Sequence, residues 1–195
     1  YPSLISSGKW IQKSFIEPAN PLQVYPSLLN RGLFSPTDRQ IHHVEYRLKD
    51  IQGNISKLTF NVKAEELRNI RESISPKPSA YFQYDQANSF STDALRLSIP
   101  KGALYSNLAF YYSTGPRPSN AYSSIYHIHN KLTPVQDTLS LWIKLDTNCP
   151  EALKSKTVLV NERKEAQSSR YEDDYLKATV KTFGSFYALI DTIAP

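Results

Sequence analysis

The chain has 195 residues, of which 40% are hydrophobic and 12% aromatic, and this composition excludes a disordered chain because it supplies ample material for a folded core. A single cysteine excludes a disulfide scaffold and a cysteine-rich zinc site, and the sequence has no apolar run of a length that crosses a bilayer. The net charge of +5 is spread thinly, whereas nucleic-acid-binding proteins concentrate Lys and Arg on one surface, so we predict that nucleic acid is not a partner.

Predicted strands follow one another along most of the chain, because apolar and polar residues alternate with a period of two. In chain order they are residues 9–16, 41–49, 54–62, 80–85, 95–99, 106–113, 122–129, 139–145, 156–161, 175–182 and 185–190. The turn formers Asp50, Gly53 and Asn54 predict that the strands on either side of them form a hairpin. Residues 64–73 carry the best helical pattern, and Pro76 follows it closely.

These short strands, separated by turn signals, predict an all-β chain of antiparallel, immunoglobulin-like β-sandwiches. The proline-rich segment after the candidate helix predicts a domain boundary. Residues 1–76 supply only about three good strands, too few for an independent sandwich, so we predict a partial immunoglobulin-like sandwich with a short helical linker. Residues 77–195 are predicted to form a second, fuller β-sandwich domain.

The motif with the most specific chemistry is His127-Ile128-His129. Residues i and i+2 of a strand share a face, so both imidazoles could bind one metal ion. A zinc site needs at least one more ligand, and no Asp, Glu or His stands at a recognisable spacing nearby. The alternative interpretation is a pair of partly exposed histidines near the end of a strand, beside Asn130.

Aromatic residues give a second set of candidates, this time for ligand binding. Tyr111, Tyr112 and Tyr122 cluster in the sequence, and Trp142 lies on the polar face of its predicted strand. Exposed aromatic rings bind sugars or partner proteins, so these four residues are candidate ligand contacts. Core packing is the alternative, and the adjacent Tyr111 and Tyr112 must face opposite ways.

The remaining reactive residue types favour structural interpretations. His42 and His43 point to opposite faces of one strand, which predicts one partly buried and one surface histidine. Cys149 is predicted to be a small loop residue. Residues 172–174 are a run of three acids, and we predict that they form a solvated hairpin tip. The sequence has no glycine-rich phosphate loop, no His-Glu-x-x-His motif and no nucleophile-elbow serine, and we predict that the chain is not itself an enzyme.

Several stretches together carry a resemblance to a known family. They are Gly8–Pro18, Leu29–Phe34, His42–Tyr46, Leu48–Asn54, Leu97–Tyr105 and Gly184–Pro195. They resemble the β-rich region that follows the catalytic domain in lysostaphin-type zinc metallopeptidases (metallopeptidase family twenty-three), which are large envelope proteins of Gram-negative bacteria. That family binds zinc through His-x-x-x-Asp and His-x-His. The first motif is absent here and His127-Ile128-His129 matches the second by letter only, so no catalytic residue is transferred.

The resemblance implies a non-catalytic accessory module that spaces or positions a peptidoglycan peptidase domain in the periplasm or cell envelope. It implies that zinc belongs to that other domain, and no cofactor is predicted in this chain. The implied partners are neighbouring domains of the same polypeptide, with peptidoglycan or an envelope protein as further candidates. The absence of methionine likewise predicts a piece of a longer protein. The alternative function is a surface adhesion or glycan-binding module that uses exposed aromatics.

Overall fold

The computed structural model describes residues 15–22, 29–65 and 76–191, and its regular elements are almost all β-strands. The chain divides into two compact units, Tyr25–Pro76 and the combination of Tyr1–Val24 with Lys77–Pro195. Every strand pair in the described residues is antiparallel. The predicted all-β, antiparallel fold is therefore confirmed. No helix in these residues has both the length and the hydropathy that crossing a membrane requires.

In the part of the smaller unit that the structure describes, β1 (Ile41–Lys49) and β2 (Ile55–Lys63) form a hairpin, as the sequence predicts. Asp50 holds the turn, because one of its carboxylate oxygens accepts a hydrogen bond from the Asn54 N–H at 2.8 Å. Gly53 supplies the positive φ of 94° that the turn requires. The predicted helix over residues 64–73 lies mostly outside the described residues, as does the predicted strand over residues 9–16, and neither can be compared with the fold.

The larger unit contains the other described strands and one helical turn, α1 (Glu151–Lys154). The strands are β3 (Ala80–Phe82), β4 (Asn88–Ser91), β5 (Leu95–Ile99), β6 (Leu108–Phe110), β7 (Tyr112–Gly115), β8 (Ile125–Ile128), β9 (Leu139–Lys144), β10 (Thr157–Asn161), β11 (Ala166–Gln167), β12 (Ser169–Glu172), β13 (Tyr175–Val180) and β14 (Gly184–Ile190). A segment from the start of the chain joins them, since the Ala19 N–H donates to the Tyr105 carbonyl at 3.0 Å. Gln136 Nε2 in turn donates to the Ala19 carbonyl at 2.9 Å.

Most strands of the larger unit form two five-stranded sheets. The first sheet has the order β11-β10-β14-β8-β7 and the second the order β12-β13-β9-β5-β4, while β3 and β6 form a small separate pair. Alternate side chains of both large sheets meet in one continuous core, which is the packing of a β-sandwich. The largest contributors are Phe110, Phe183, Phe186, Leu95, Leu97, Ile99, Ile128, Leu139, Leu141, Ile143, Leu159 and Leu176.

Three strands lie where the sequence predicts none, and one predicted strand is interrupted. The unpredicted strands β4, β11 and β12 are short and mostly polar, so they carry little of the alternation on which the prediction rests. The predicted strand over residues 106–113 is instead the pair β6 and β7, with Tyr111 between them. The chain therefore leaves its pairing with β3 at this residue and begins its pairing with β8.

Candidate functional site

The site is the outer face of the second sheet, and Trp142 lies at its centre. Trp142 is on the middle strand β9, where alternation buries Leu141 and Ile143 and turns the tryptophan outward. The register of the sheet brings Lys177 of β13 to one side of Trp142 and Arg96 of β5 to the other. The sequence prediction that Trp142 lies on the polar face of its strand is confirmed by this burial pattern.

The full row across the sheet is defined by successive strand pairings. Arg170 of β12 pairs with Lys177, and Ser91 of β4 pairs with Arg96, so the row runs Arg170, Lys177, Trp142, Arg96 and Ser91. We call this set the Trp142 row. On β5, β9 and β13 the row alternates with buried residues, and on the edge strands β4 and β12 with partly buried ones. Its side chains therefore share the solvent-facing side of the sheet.

Two cations of the row lie over aromatic rings. The guanidinium carbon of Arg96 is 4.5 Å from the centroid of the Tyr175 ring, and Lys177 Nζ is 5.4 Å from the centroid of the Trp142 ring. Both distances are within the range of cation–π attraction. The aromatic residues therefore hold the positive charges in defined positions above the sheet.

At one end of the row the surface forms a depression of about 310 Å³. Its lining consists of Ser168, Ser169, Arg170, Lys177, Ala178 and Thr179. Arg170 is oriented there by Glu172, because its Nε and Nη2 approach one carboxylate oxygen at 2.8 and 2.7 Å. Asp173 and Asp174 form the turn that follows, with positive φ angles of 51° and 65°, so the predicted acidic hairpin tip is confirmed.

The structure places the two candidate metal ligands in different surroundings. His127 is exposed on β8, and its Nδ1 lies 2.8 Å from Ser185 Oγ. His129 lies beyond the end of β8 and has a positive φ of 53°, so the same-face argument for residues i and i+2 does not hold here. Within the described ranges, no three His, Cys, Asp or Glu side chains form a group that could hold a metal ion.

His129 instead packs among aromatic rings. Its ring stacks on Tyr111 with the centroids 5.9 Å apart and 9° between the planes, and it meets Phe183 edge to face at 5.2 Å. Its Nδ1 accepts a hydrogen bond from the Tyr111 N–H at 3.4 Å. Burial lowers the pKa of His129 because the charged imidazolium loses its hydration.

This lowered pKa predicts a loss of stability in mild acid. The unfolded chain takes up a proton near the ordinary histidine pKa of about 6.5, while folded His129 resists it. The stabilising contribution is complete above that value and is lost as the pH falls through the folded pKa. We expect the urea midpoint to fall between pH 7.5 and 5.5, and to fall less in His129→Asn, which tolerates the positive φ. An equal fall in both proteins would contradict the assignment.

The candidate tyrosines, like Trp142, are partly buried, but their rings are engaged in packing contacts. The Tyr112 ring stacks on Tyr126 with the centroids 6.4 Å apart and meets Phe90 at a tilt with the centroids 5.1 Å apart, and burial raises the pKa of its phenol. Tyr122 packs against the core from a partly buried position. Tyr111 is occupied by its stacking on His129. The tyrosines therefore contribute mainly to packing, which is the alternative that the sequence left open for them.

Other reactive residues have structural surroundings. Cys149 is only 5% exposed, and burial raises the pKa of its thiol, which disfavours the nucleophilic thiolate. His42 is partly buried against the ring of Phe34, with its Nε2 2.7 Å from an Asp38 carboxylate oxygen, whereas His43 is exposed. The predicted contrast between the two neighbouring histidines is confirmed.

The residues that the sequence analysis missed are the cations beside Trp142. Arg96 and Lys177 stand at the polar positions of alternating segments, and that is the only signal the sequence carries for them. Arg170 lies on β12, a mostly polar strand that the sequence does not predict. Their assembly depends on strand order and register, because β5 and β13 are far apart in the chain and become neighbours of β9 only in the sheet.

The fold and this surface define an all-β sandwich domain with a cationic and aromatic outer face. Comparison with protein families assigns it further. The Zu5-like domain model matches residues 79–191, which is more than half of the chain and lies within the larger unit, and the chain belongs to the Zu5-like domain family. A search of curated proteins found no match.

Proposed function

We propose that the chain is a non-catalytic β-sandwich module that positions a neighbouring domain of its own polypeptide. The observation that carries this proposal is the hairpin of β1 and β2, which has one apolar face. The register pairs Val44 with Phe60 and Tyr46 with Leu58 on that face. Leu58 is 61% exposed, and Tyr46 and Phe60 are 42% and 41% exposed although their rings stack at 5.9 Å.

The opposite face of the hairpin is mostly polar, with Ile41 and Ile55 at its two ends. Glu45 forms ion pairs there with Arg47 at 2.7 Å and with Lys57 at 3.3 Å. A two-stranded hairpin is marginally stable by itself, and a contiguous exposed apolar surface is typical of an interaction site. This contrast between the faces supports a role in which the apolar face packs against another domain.

The resemblance described above supports a narrower form of the proposal. Two of its stretches, His42–Tyr46 and Leu48–Asn54, lie in this hairpin and its turn. In the narrower form the neighbour is a peptidoglycan peptidase domain in the periplasm or envelope of a Gram-negative bacterium, and zinc belongs to that domain.

The positioning role is tested in the full polypeptide that carries this chain. Tyr46→Ser combined with Leu58→Ser removes two apolar side chains from the exposed face, and Lys57→Ser is the matched control on the polar face. We expect faster amide hydrogen exchange in the neighbouring domain for the double variant and no change for the control. Unchanged exchange in the double variant would contradict the proposal.

The non-catalytic part is tested on the purified chain. We expect it to leave peptidoglycan-derived peptides intact and to hold no stoichiometric zinc. Cleavage together with bound zinc, both lost in His127→Ala, would overturn the proposal and make the histidine pair a reaction centre.

A second candidate function is a surface adhesion or glycan-binding module, and Trp142 is the residue that favours it. Trp142 lies on an outward face, flanked by two cations and away from the packed tyrosines. Aromatic side chains with polar neighbours are frequent at binding surfaces. This candidate uses a different surface from the hairpin, so the two functions can be tested separately.

A further inference from the structure

We propose that the outer face of the second sheet binds an acidic polysaccharide, with the sugar chain lying across the Trp142 row. This inference rests on the second candidate function and specifies its ligand class. Three features of the face support it, namely its charge, the placement of its cations and the hydroxyl groups beside them.

The charge of the face fits an anion. The outward-facing side chains of its five strands include four cations and one carboxylate, namely Arg96, Lys144, Arg170, Lys177 and Glu172. The chain as a whole carries only +5, so this single face holds a large share of the excess. Complementary charge of this kind attracts and orients a polyanion.

The placement of the cations fits a polymer that crosses the strands. Neighbouring strands are about 4.8 Å apart, so the three intervals from Arg170 to Arg96 span roughly 14 Å. Arg96 and Lys177 are held over the rings of Tyr175 and Trp142, which lowers the entropy lost when they bind. The Arg96 guanidinium carries five N–H donors in a planar fork, a geometry that suits a bidentate contact with a carboxylate.

The hydroxyl groups favour a sugar over an acidic peptide. Beside the Trp142 row, the same strand pairings align Ser89, Ser98, Ser140 and Thr179 in a second row. Hydroxyl side chains both donate and accept, as sugar hydroxyls do, whereas an acidic peptide offers its carboxylates chiefly to cations. The depression between Arg170, Lys177 and Thr179 has room for one carboxylate-bearing sugar residue at the end of the row.

The experiment measures binding of the whole chain to three polymers by isothermal titration calorimetry. Polygalacturonate is the probe, its fully methyl-esterified form keeps the sugar and removes the charge, and poly-L-glutamate keeps the charge and removes the sugar. We expect polygalacturonate to bind more tightly than either of the others. Raising the salt concentration should weaken this binding, because exposed charges are screened.

Variants then assign the binding to this face. Arg96→Gln and Lys177→Gln should each weaken polygalacturonate binding about tenfold, the loss expected for one charge-assisted contact. Trp142→Leu should weaken polygalacturonate binding more than it weakens binding to poly-L-glutamate, because only the sugar polymer contacts the tryptophan ring. Lys156→Gln removes one exposed charge beside the other sheet and should change affinity less than about twofold. Far-ultraviolet circular dichroism checks that each variant is folded.

Every outcome decides between the possibilities. Binding of none of the polymers overturns both the inference and the second candidate function. Equal binding of the methyl-esterified form leaves glycan binding intact and overturns the acidic ligand class. Equal or tighter binding of poly-L-glutamate, unaffected by Trp142→Leu, makes an acidic protein segment the partner instead. Unchanged affinity in Lys177→Gln overturns the location. None of these results bears on the hairpin variants, which test the positioning role separately.

Discussion

Replacing Phe110 by alanine should lower the free energy of unfolding of the larger unit by about 3–5 kcal/mol. Phe110 is fully buried on β6, and its ring centroid lies 4.8 Å from that of Phe82 and 5.1 Å from that of Phe90. It also contacts Phe183 at 6.4 Å and His129 at 6.0 Å. The truncation removes the shared partner of four rings, so the cavity cannot be closed by moving one neighbour. Urea denaturation followed by tryptophan fluorescence measures the effect.

Tyr81→Ala is the matched control for this variant. Tyr81 is on β3, next to the buried Phe82, but it is 76% exposed and points away from the core. We expect a change within about 0.5 kcal/mol, as for most surface substitutions. If Phe110→Ala cost no more than the control, the aromatic cluster would not be the packed centre of this unit, and the pH effect expected at His129 would lose its basis.

The strands that the sequence predicted well are those with one buried and one solvent-facing side. On β5 and β9, buried apolar residues alternate strictly with solvent-facing residues, as Leu95 and Leu97 do around Arg96. On such strands the apolar residues are the buried ones, so the alternation in the sequence predicts the strand. By contrast, β4 and β12 are mostly polar, and their strand conformation comes from hydrogen bonding to β5 and β13, which no local pattern reveals.

The candidate site was predictable only in part, for the same reason. The alternation on β9 places Trp142 outward, and this follows from local sequence alone. Its neighbours Lys177 and Arg96 come from strands distant in the chain, so their proximity is a property of sheet order and register. The histidine prediction failed in its geometry because a period of two holds only inside a strand, and β8 ends before His129.

Ser123 illustrates a feature that is invisible in the sequence and matters to the sheet. It is fully buried just before β8, in a segment without strand geometry. Its hydroxyl accepts a hydrogen bond from the Ala188 N–H of β14 at 2.9 Å and donates to the Ser124 carbonyl at 3.0 Å. The backbone pairing of β14 with β8 stops at Phe186, so this side chain replaces a backbone partner where the two strands separate.

Ser123→Ala should therefore lower the free energy of unfolding by about 1–3 kcal/mol, because the buried Ala188 N–H loses its partner. The neighbouring Tyr122 N–H donates to the Ala188 carbonyl at 2.9 Å and keeps the segment in place, so the loss stays confined to the amide. Ser113→Ala, on the exposed edge strand β7, is the control and should change stability by less than about 0.5 kcal/mol. Urea denaturation gives both values, and faster hydrogen exchange at the Ala188 amide would locate the effect. If Ser123→Ala lowered the free energy of unfolding no more than the control, and hydrogen exchange at the Ala188 amide were unchanged, β14 would be held here by its other contacts. The Ser123 hydroxyl would then contribute packing and no essential hydrogen bond to the backbone.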